Sequence, residues 1–231
     1  MNSISRRAAE PQRLDEWAPS LLKAQVYGRL LLDIIIGVLK PGEQLDENVL
    51  ARRYEGGLAG IRDALARLAL EGLVVRKARV GTTVAPLDLS EARDAFEARR
   101  LVEIQCAGLA ATQGSDAAIA AIRATLAGGE AAIEADDARA LAGMDEAFHV
   151  AVATASGNRT LAKMVVTLHH QTARYWLISV KAPSRAESLA ALEEHRTLAD
   201  TIAARNESRA RAQMEQLLGE LPDDVKRALE S

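Results

Sequence analysis

"EGGLAGIRDALARL", residues 55–68, is the stretch on which the fold turns. Its trailing half repeats apolar residues at helical spacing, with Ile61, Leu65 and Leu68 on one face. Its leading half, Gly56, Gly57, Leu58, Ala59 and Gly60, carries almost no polar chemistry. The helix is predicted to run to Glu71, because Gly72 stands where a helix C-terminus places glycine. Downstream, "LVVRKARVGTTVAP" (73–86) changes to β-type residues, and 73–77 and 82–85 read as two strands around a turn ending in Gly81. Upstream, Leu22, Val26, Leu30, Ile34 and Val38 form a helical stripe over 21–39, closed by the Pro41–Gly42 turn. A short helix over 46–54 and a turn over 55–57 lead into the quoted stretch. Three short helices and a hairpin make a winged helix-turn-helix over residues 21–86.

The rest of the chain is of another kind. Residues 1–20 read as a flexible tail, with Pro11 and Pro19 and no apolar period. Residues 87–231 show no β pattern and read as an all-α bundle of six helices, over 90–112, 116–134, 137–155, 158–181, 185–205 and 207–219. A short tail helix is possible after Pro222. Asp88 and Ser90 are capping candidates for the first of these helices, Asn158 and Asn206 cap two later ones, and Gly157 ends a helix. The chain is thus mainly α. Its 48% hydrophobic but 3% aromatic composition suits packed helices. No transmembrane-length apolar run and no signal-peptide core occur, and Cys106 is the single cysteine, so a cytoplasmic protein without a disulfide framework is expected. The formal charge of −3 hides a division. Residues 21–87 hold 10 Lys/Arg against 7 Asp/Glu, whereas 88–231 hold 16 against 22. A basic small module joined to an acidic larger one is the pattern of a nucleic-acid binder with a separate sensing domain.

"PGEQLDENVLARRY…GIRDALARLALEGLVVRKARVGTTVAPL" resembles the N-terminal domain of GntR-type bacterial transcription regulators. The matching residues are Pro41-Gly42-Glu43, Glu47, Leu50-Ala51, Ile61 to Leu65, Leu68, Glu71 to Val74 and Gly81. The second half resembles the FCD ligand-sensing domain of the FadR subfamily, through Arg99, Glu103, "MDEAFHVAVATASGN" (144–158), "EEH" (193–195), Ile202, Ala210 and Met214. The resemblance covers nearly everything after residue 20. Six helices instead of seven would place the chain nearer the VanR-like branch.

In a winged helix-turn-helix the third helix enters the major groove by its N-terminal end. The resemblance implies Ser or Thr, Arg and Thr there; this chain has Gly57, Leu58 and Ala59, and Asn48 stands at the frequent Arg position of the second helix. Arg62 remains one turn further in. Arg52, Arg53 and Arg62 on the helices and Arg76, Lys77, Arg79 and Gly81 on the wing are candidate DNA contacts, and Leu58 and Ala59 can touch a thymine methyl. Arg67 is assigned to packing or solvation. Arginines at this density also make ordinary solvated faces. A DNA binder with few direct base contacts, relying on wing and DNA shape, is expected.

Asp145 and His149 lie at i and i+4, and Asp145 interrupts an apolar stripe formed by Leu141, Phe148 and Val152. His195 falls among Leu189, Leu192, Ala199 and Ile202. A carboxylate and two imidazoles facing one core can hold a divalent transition metal, zinc, nickel or manganese. The resemblance implies a fourth ligand, a His, at the position of Leu217, which cannot ligate. Three outcomes stand open: a metal completed by water or a carboxylate, substitution by His169 or His170, or a metal-free pocket with Asp145 paired to a histidine. The resemblance implies a small organic-acid effector, for which Arg99 and Arg174 are candidate clamps; the alternative is ordinary ion pairs, with Glu103 a candidate partner.

Together these features predict a ligand-responsive transcription regulator and not an enzyme. It would be a repressor in the commonest family mode, and a homodimer on a roughly palindromic double-stranded DNA operator with no membrane partner. Two rivals are a metal-dependent hydrolase on the bundle and a regulator whose C-terminal domain is structural, without metal or ligand. The hydrolase needs a general base, and Glu146 and Glu194, beside the ligands in sequence, point elsewhere on their helices.

Overall fold

The computed structural model describes residues 21–175, 183–221 and 223–230. The tail expected over residues 1–20 lies outside them. Helix α1 (Leu21–Ile35) ends before its apolar run does. Gly37 takes φ 72° and the Leu39 N–H donates to the Asp33 carbonyl at 2.9 Å, so the chain folds back beneath the helix. Helix α2 (Glu47–Tyr54) starts on Asp46, whose carboxylate accepts from the Asn48 and Val49 N–H groups at 2.7 and 2.9 Å. Helix α3 (Gly57–Leu70) follows after a tight turn. Gly57 has φ 62°, which L side chains rarely adopt, and a Cβ on Gly56 would lie 2.4 Å from Val26 Cγ2 of α1. Gly56 and Gly57 in the leading half of the quoted stretch are thus requirements of the turn, whereas a Cβ on Gly60 would meet nothing within 4 Å.

Strands β1 (Val74–Lys77) and β2 (Gly81–Val84) pair antiparallel, from Val74 opposite Val84 to Lys77 opposite Gly81. A bridge from Gln44 to Thr83 ties the pre-α2 loop to this wing. Val26, Leu30, Ile34, Leu50, Tyr54, Ile61, Leu65, Leu68 and Leu73 form the buried core of the module.

Eight helices follow among the described residues: α4 (Leu89–Gln113), α5 (Asp116–Ala124), α6 (Gly129–Glu134), α7 (Ala138–Ala155), α8 (Arg159–Ala173), α9 (Arg185–Ala203), α10 (Glu207–Leu218) and α11 (Asp223–Glu230). Asp88, Asn158 and Asn206 cap α4, α8 and α10 as the sequence predicts. The stretch expected as one helix over 116–134 is divided, because Gly128 turns left-handed at φ 83°. With the tail helix α11 also formed, helix number does not separate the VanR-like from the FadR-like arrangement. The helix expected over 158–181 is α8 up to Ala173, and residues 176–182 lie outside the described ones. The long α4 packs against α7, α8 and α10 and carries the buried Arg99 and Glu103. Phe148, Val152, Leu198, Ile202 and Met214 are central to the bundle core. No described helix is long and apolar enough to cross a membrane.

Candidate functional site

The first candidate face is the leading end of α3 with the wing. Leu58 and Ala59 are exposed there, as are Arg52, Arg62, Arg76, Lys77, Arg79 and Gly81. Arg62 Nε donates to Glu47 Oε2 at 2.7 Å, and Glu47 shares a cleft with wing residues 76–82. The α3 end and the wing therefore flank one surface. The wing tip is held by Gln44 Nε2, which donates to the Val80 carbonyl at 3.1 Å. Arg53 differs from its neighbour Arg52, for its Nη2 donates to Asp33 at 3.1 Å and its guanidinium lies over the Tyr54 ring. Arg67 sits 3.6 Å above the Tyr27 ring and donates to Glu71, a packing role.

The second is a charged cluster inside the helical half. Asp145 and His149 come from α7, His169 from α8 and His195 from α9. Asp145 Oδ1 lies 3.7 Å from His149 Nε2 and 3.1 Å from His195 Nε2, and its Oδ2 lies 3.8 Å from His169 Nε2. His149, His169 and His195 are buried, whereas the Asp145 side chain is 41% exposed and forms the cluster's opening to solvent. His149 Nδ1 donates to Glu103, and Glu103 accepts from Arg99 Nε at 2.6 Å. His195 Nδ1 donates to the Ala191 carbonyl at 2.7 Å. These outer bonds point both Nε2 atoms at Asp145, the orientation metal-bound imidazoles take. Among the described residues, Asp145, His149 and His169 are the set whose ligand atoms all lie within 4.8 Å of one another and could hold a metal, while His195 reaches the same Asp145 oxygen that faces His149.

His169 thus stands where the sequence left a substitute ligand open, but its tautomer opposes ligation as the cluster stands. Arg99 Nη2 lies 3.0 Å from its Nδ1, and a guanidinium only donates. Nδ1 must therefore accept, which leaves the proton of the neutral ring on Nε2. Burial first, and then the Arg99 cation, hold His169 well below the usual imidazole range. For His149 burial works the same way, but the Glu103 and Asp145 carboxylates outweigh it and raise the pKa to about 9. Burial would raise Glu103, yet Arg99 and His149 together hold it near 2. Asp145 is likewise held well below the usual carboxylate range, with burial opposed by His149 and His195. Leu217 is half-buried against the bundle core.

Arg99 is also tied to α8 through Thr172 Oγ1 at 3.0 Å. Arg174, the other expected anion clamp, turns to the linker instead. Its Nη2 donates to the Ala85 carbonyl at 2.9 Å and to the Pro86 carbonyl.

A third set of contacts joins the two halves, and sequence reading did not find it. His170 is buried beside the cluster but serves the other module. Its Nδ1 meets Glu71 Oε2 at 3.1 Å, at the end of α3, and its Nε2 meets Glu146 at 2.8 Å. Tyr27 donates to the same Glu71 oxygen at 2.6 Å, and Gln171 donates to the Glu71 carbonyl at 3.0 Å. Asp33 of α1, itself buried, accepts from Tyr54 at 2.5 Å, from Arg53 and from Arg139 of α7. The signal for Asp33 was present in "LLLDIII" (30–36), a lone carboxylate inside an apolar run.

Comparison with known proteins bears on both halves. Residues 22–84 match the model of bacterial regulatory proteins of the gntR family, and residues 94–220 match the FCD domain. The HTH-type transcriptional repressor GlaR of Escherichia coli is 34% identical, over 83% of this chain and 90% of that protein. The HTH-type transcriptional regulator LutR of Bacillus subtilis is 30% identical, over 77% and 89%. The solved structure of E. coli McbR/YncC shares the fold, with a TM-score of 0.76 at 20% identity over 90% of this chain and 97% of that one. The chain belongs to the GntR family and pairs its DNA-binding domain with an FCD domain. It is a transcription regulator and not an enzyme, which removes the hydrolase reading.

Proposed function

We propose that this regulator is a repressor whose hold on DNA is set by a small organic acid bound at the α7–α9 cluster. One arrangement carries the reading. On α8, His169 and Thr172 face the cluster through Arg99, while the adjoining His170 and Gln171 hold Glu71 at the end of α3. An event that shifts α8 in the pocket therefore acts on the DNA-binding helix. An effector carboxylate that engages Arg99 competes with Thr172 and His169 for its donors. Arg174 is assigned to the linker between a DNA-binding module at 21–86 and an effector module at 87–231. The repressor mode is supported by the name of the GlaR relative. Two chains in the cytoplasm would present two α3 helices to a roughly palindromic site.

Asp145, His149 and His195 would hold the divalent metal, zinc, nickel or manganese. Such an ion supplies a Lewis-acidic position that takes a carboxylate oxygen. One observation favours a metal-free pocket as the second reading. The Asp145 and Glu103 carboxylates are already balanced by Arg99 and by His149, whose pKa is about 9. Elemental analysis after stripping and reloading separates the two. Metal bound by the wild type and lost in His149→Ala supports the first, and no metal with unchanged melting on chelation supports the second. The regulatory reading is tested by fluorescence titration of operator duplex against a panel of small carboxylates. One acid class should change wild-type affinity.

A further inference from the structure

Resting on the DNA-facing placement of α3, the geometry points to Glu47 as the residue that sets Arg62 to read a guanine. Arg62 is the one side-chain donor in the first two turns of α3, since Gly57, Leu58, Ala59, Gly60 and Ile61 offer none. Its Nε is held by Glu47 Oε2 at 2.7 Å, and Nη1 and Nη2 make no hydrogen bond among the described residues. The Arg62 side chain is 60% exposed and Glu47 25%. A guanidinium held at Nε presents its two terminal nitrogens as a fork, and such a fork matches O6 and N7 of guanine.

Glu47 is suited to the task. It is the first residue of α2, directly after Asp46, whose carboxylate pins the start of that helix with two bonds. Its side chain therefore springs from fixed backbone. It also lies in the cleft lined by Arg76, Lys77 and Arg79. A carboxylate on a face meant for phosphates opposes affinity. Holding Arg62 in one pose gives that carboxylate a use in specificity, where the lost polar readers of α3 leave the need.

The experiment is in vitro selection from a random duplex library with the full chain. Wild type, Glu47→Gln, Arg62→Lys and Arg62→Ala are then titrated on the selected duplex and on a scrambled one. Wild type should enrich a guanine that Arg62→Ala no longer enriches. Arg62→Lys should keep its affinity for the scrambled duplex and lose the guanine preference. Glu47→Gln should bind the scrambled duplex as well or better, yet lose a large part of the roughly 5- to 150-fold discrimination that a bidentate pair supplies. Equal gains of Glu47→Gln on both duplexes would mean repulsion alone, and equal losses with lowered melting would mean a scaffold role. Either overturns the inference. A wild-type selection with no enriched sequence would overturn the DNA-facing placement and this inference with it.

Discussion

Two arginine–glutamate pairs of almost equal length sit in the two working parts of the molecule. Arg62 meets Glu47 at 2.7 Å with side chains 60% and 25% exposed; Arg99 meets Glu103 at 2.6 Å with side chains 6% and 1% exposed. Water screens the first, so its contribution to stability is about 0–1 kcal/mol, and the terminal nitrogens of Arg62 stay open to a further partner. The second is removed from water. Its groups depend on each other, because each is a buried charge without its partners. Bond length is thus a poor guide to what a pair does, and the medium decides. The exposed pair can orient a side chain at little cost in stability and leave its outer donors to solvent. The buried pair suits a closed charge cluster, where a change of charge is felt by every neighbour.

The largest effect should come from Glu103→Gln. It leaves Arg99 and His149 without their common counter-charge and should cost about 3–5 kcal/mol, read as a lowered denaturant midpoint. Next is His170→Ala, which removes the bridge from Glu71 to Glu146. A loss of about 1–3 kcal/mol is expected, with the DNA-binding and helical halves melting in separate calorimetric transitions. Substitution is not the only way to weaken that bridge. Burial lowers the His170 pKa, but Glu146 and Glu71 outweigh it and raise the value above 6.5. Burial raises Glu71, but His170 and Tyr27 outweigh it and hold the value below 4.5. The His170 share is therefore complete below pH 6.5 and lost as pH rises through its folded value. The Glu71 share is present above pH 4.5 and lost as pH falls. Coupled melting should be strongest between these limits and weaken toward alkaline pH in a calorimetric pH series. The smallest effect on stability should be that of Arg62→Ala, within about 0.5 kcal/mol by denaturation, although it removes the proposed polar reader of α3.

Much of this was legible in the sequence, and for local reasons. Helices, caps and wing follow from spacing of three and four, from Asp46, Asp88, Asn158 and Asn206, and from Gly72. Asp145 and His195 stood out because each falls within an apolar stripe, and His149 because it follows Asp145 at i+4. What escaped was long-range. Glu71 and His170 are 99 residues apart, as the bond itself records, and no periodic pattern announces such a pair. His169 and His170 look alike in sequence. Successive helical residues diverge by about 100° and so face different partners, one Arg99 and Asp145 and the other Glu71 at the end of α3. The turn at Gly128 was hidden because alanine-rich segments on either side read as one helix. At the leading end of α3, Gly56 and Gly57 are demanded by the contact with Val26 and by a left-handed turn, constraints that only the folded chain reveals.

The most direct test measures DNA affinity as the pocket is filled. Selected operator duplex is titrated with wild type and with His149→Ala, each stripped of metal and then reloaded with zinc, across a panel of small carboxylates. The account predicts that at least one acid shifts wild-type affinity by fivefold or more, on the order of 1 kcal/mol of coupling. It also predicts that His170→Ala, though it still binds that acid, loses the shift. An unchanged affinity across the panel, with binding of an acid to the FCD domain shown by calorimetry, would contradict it.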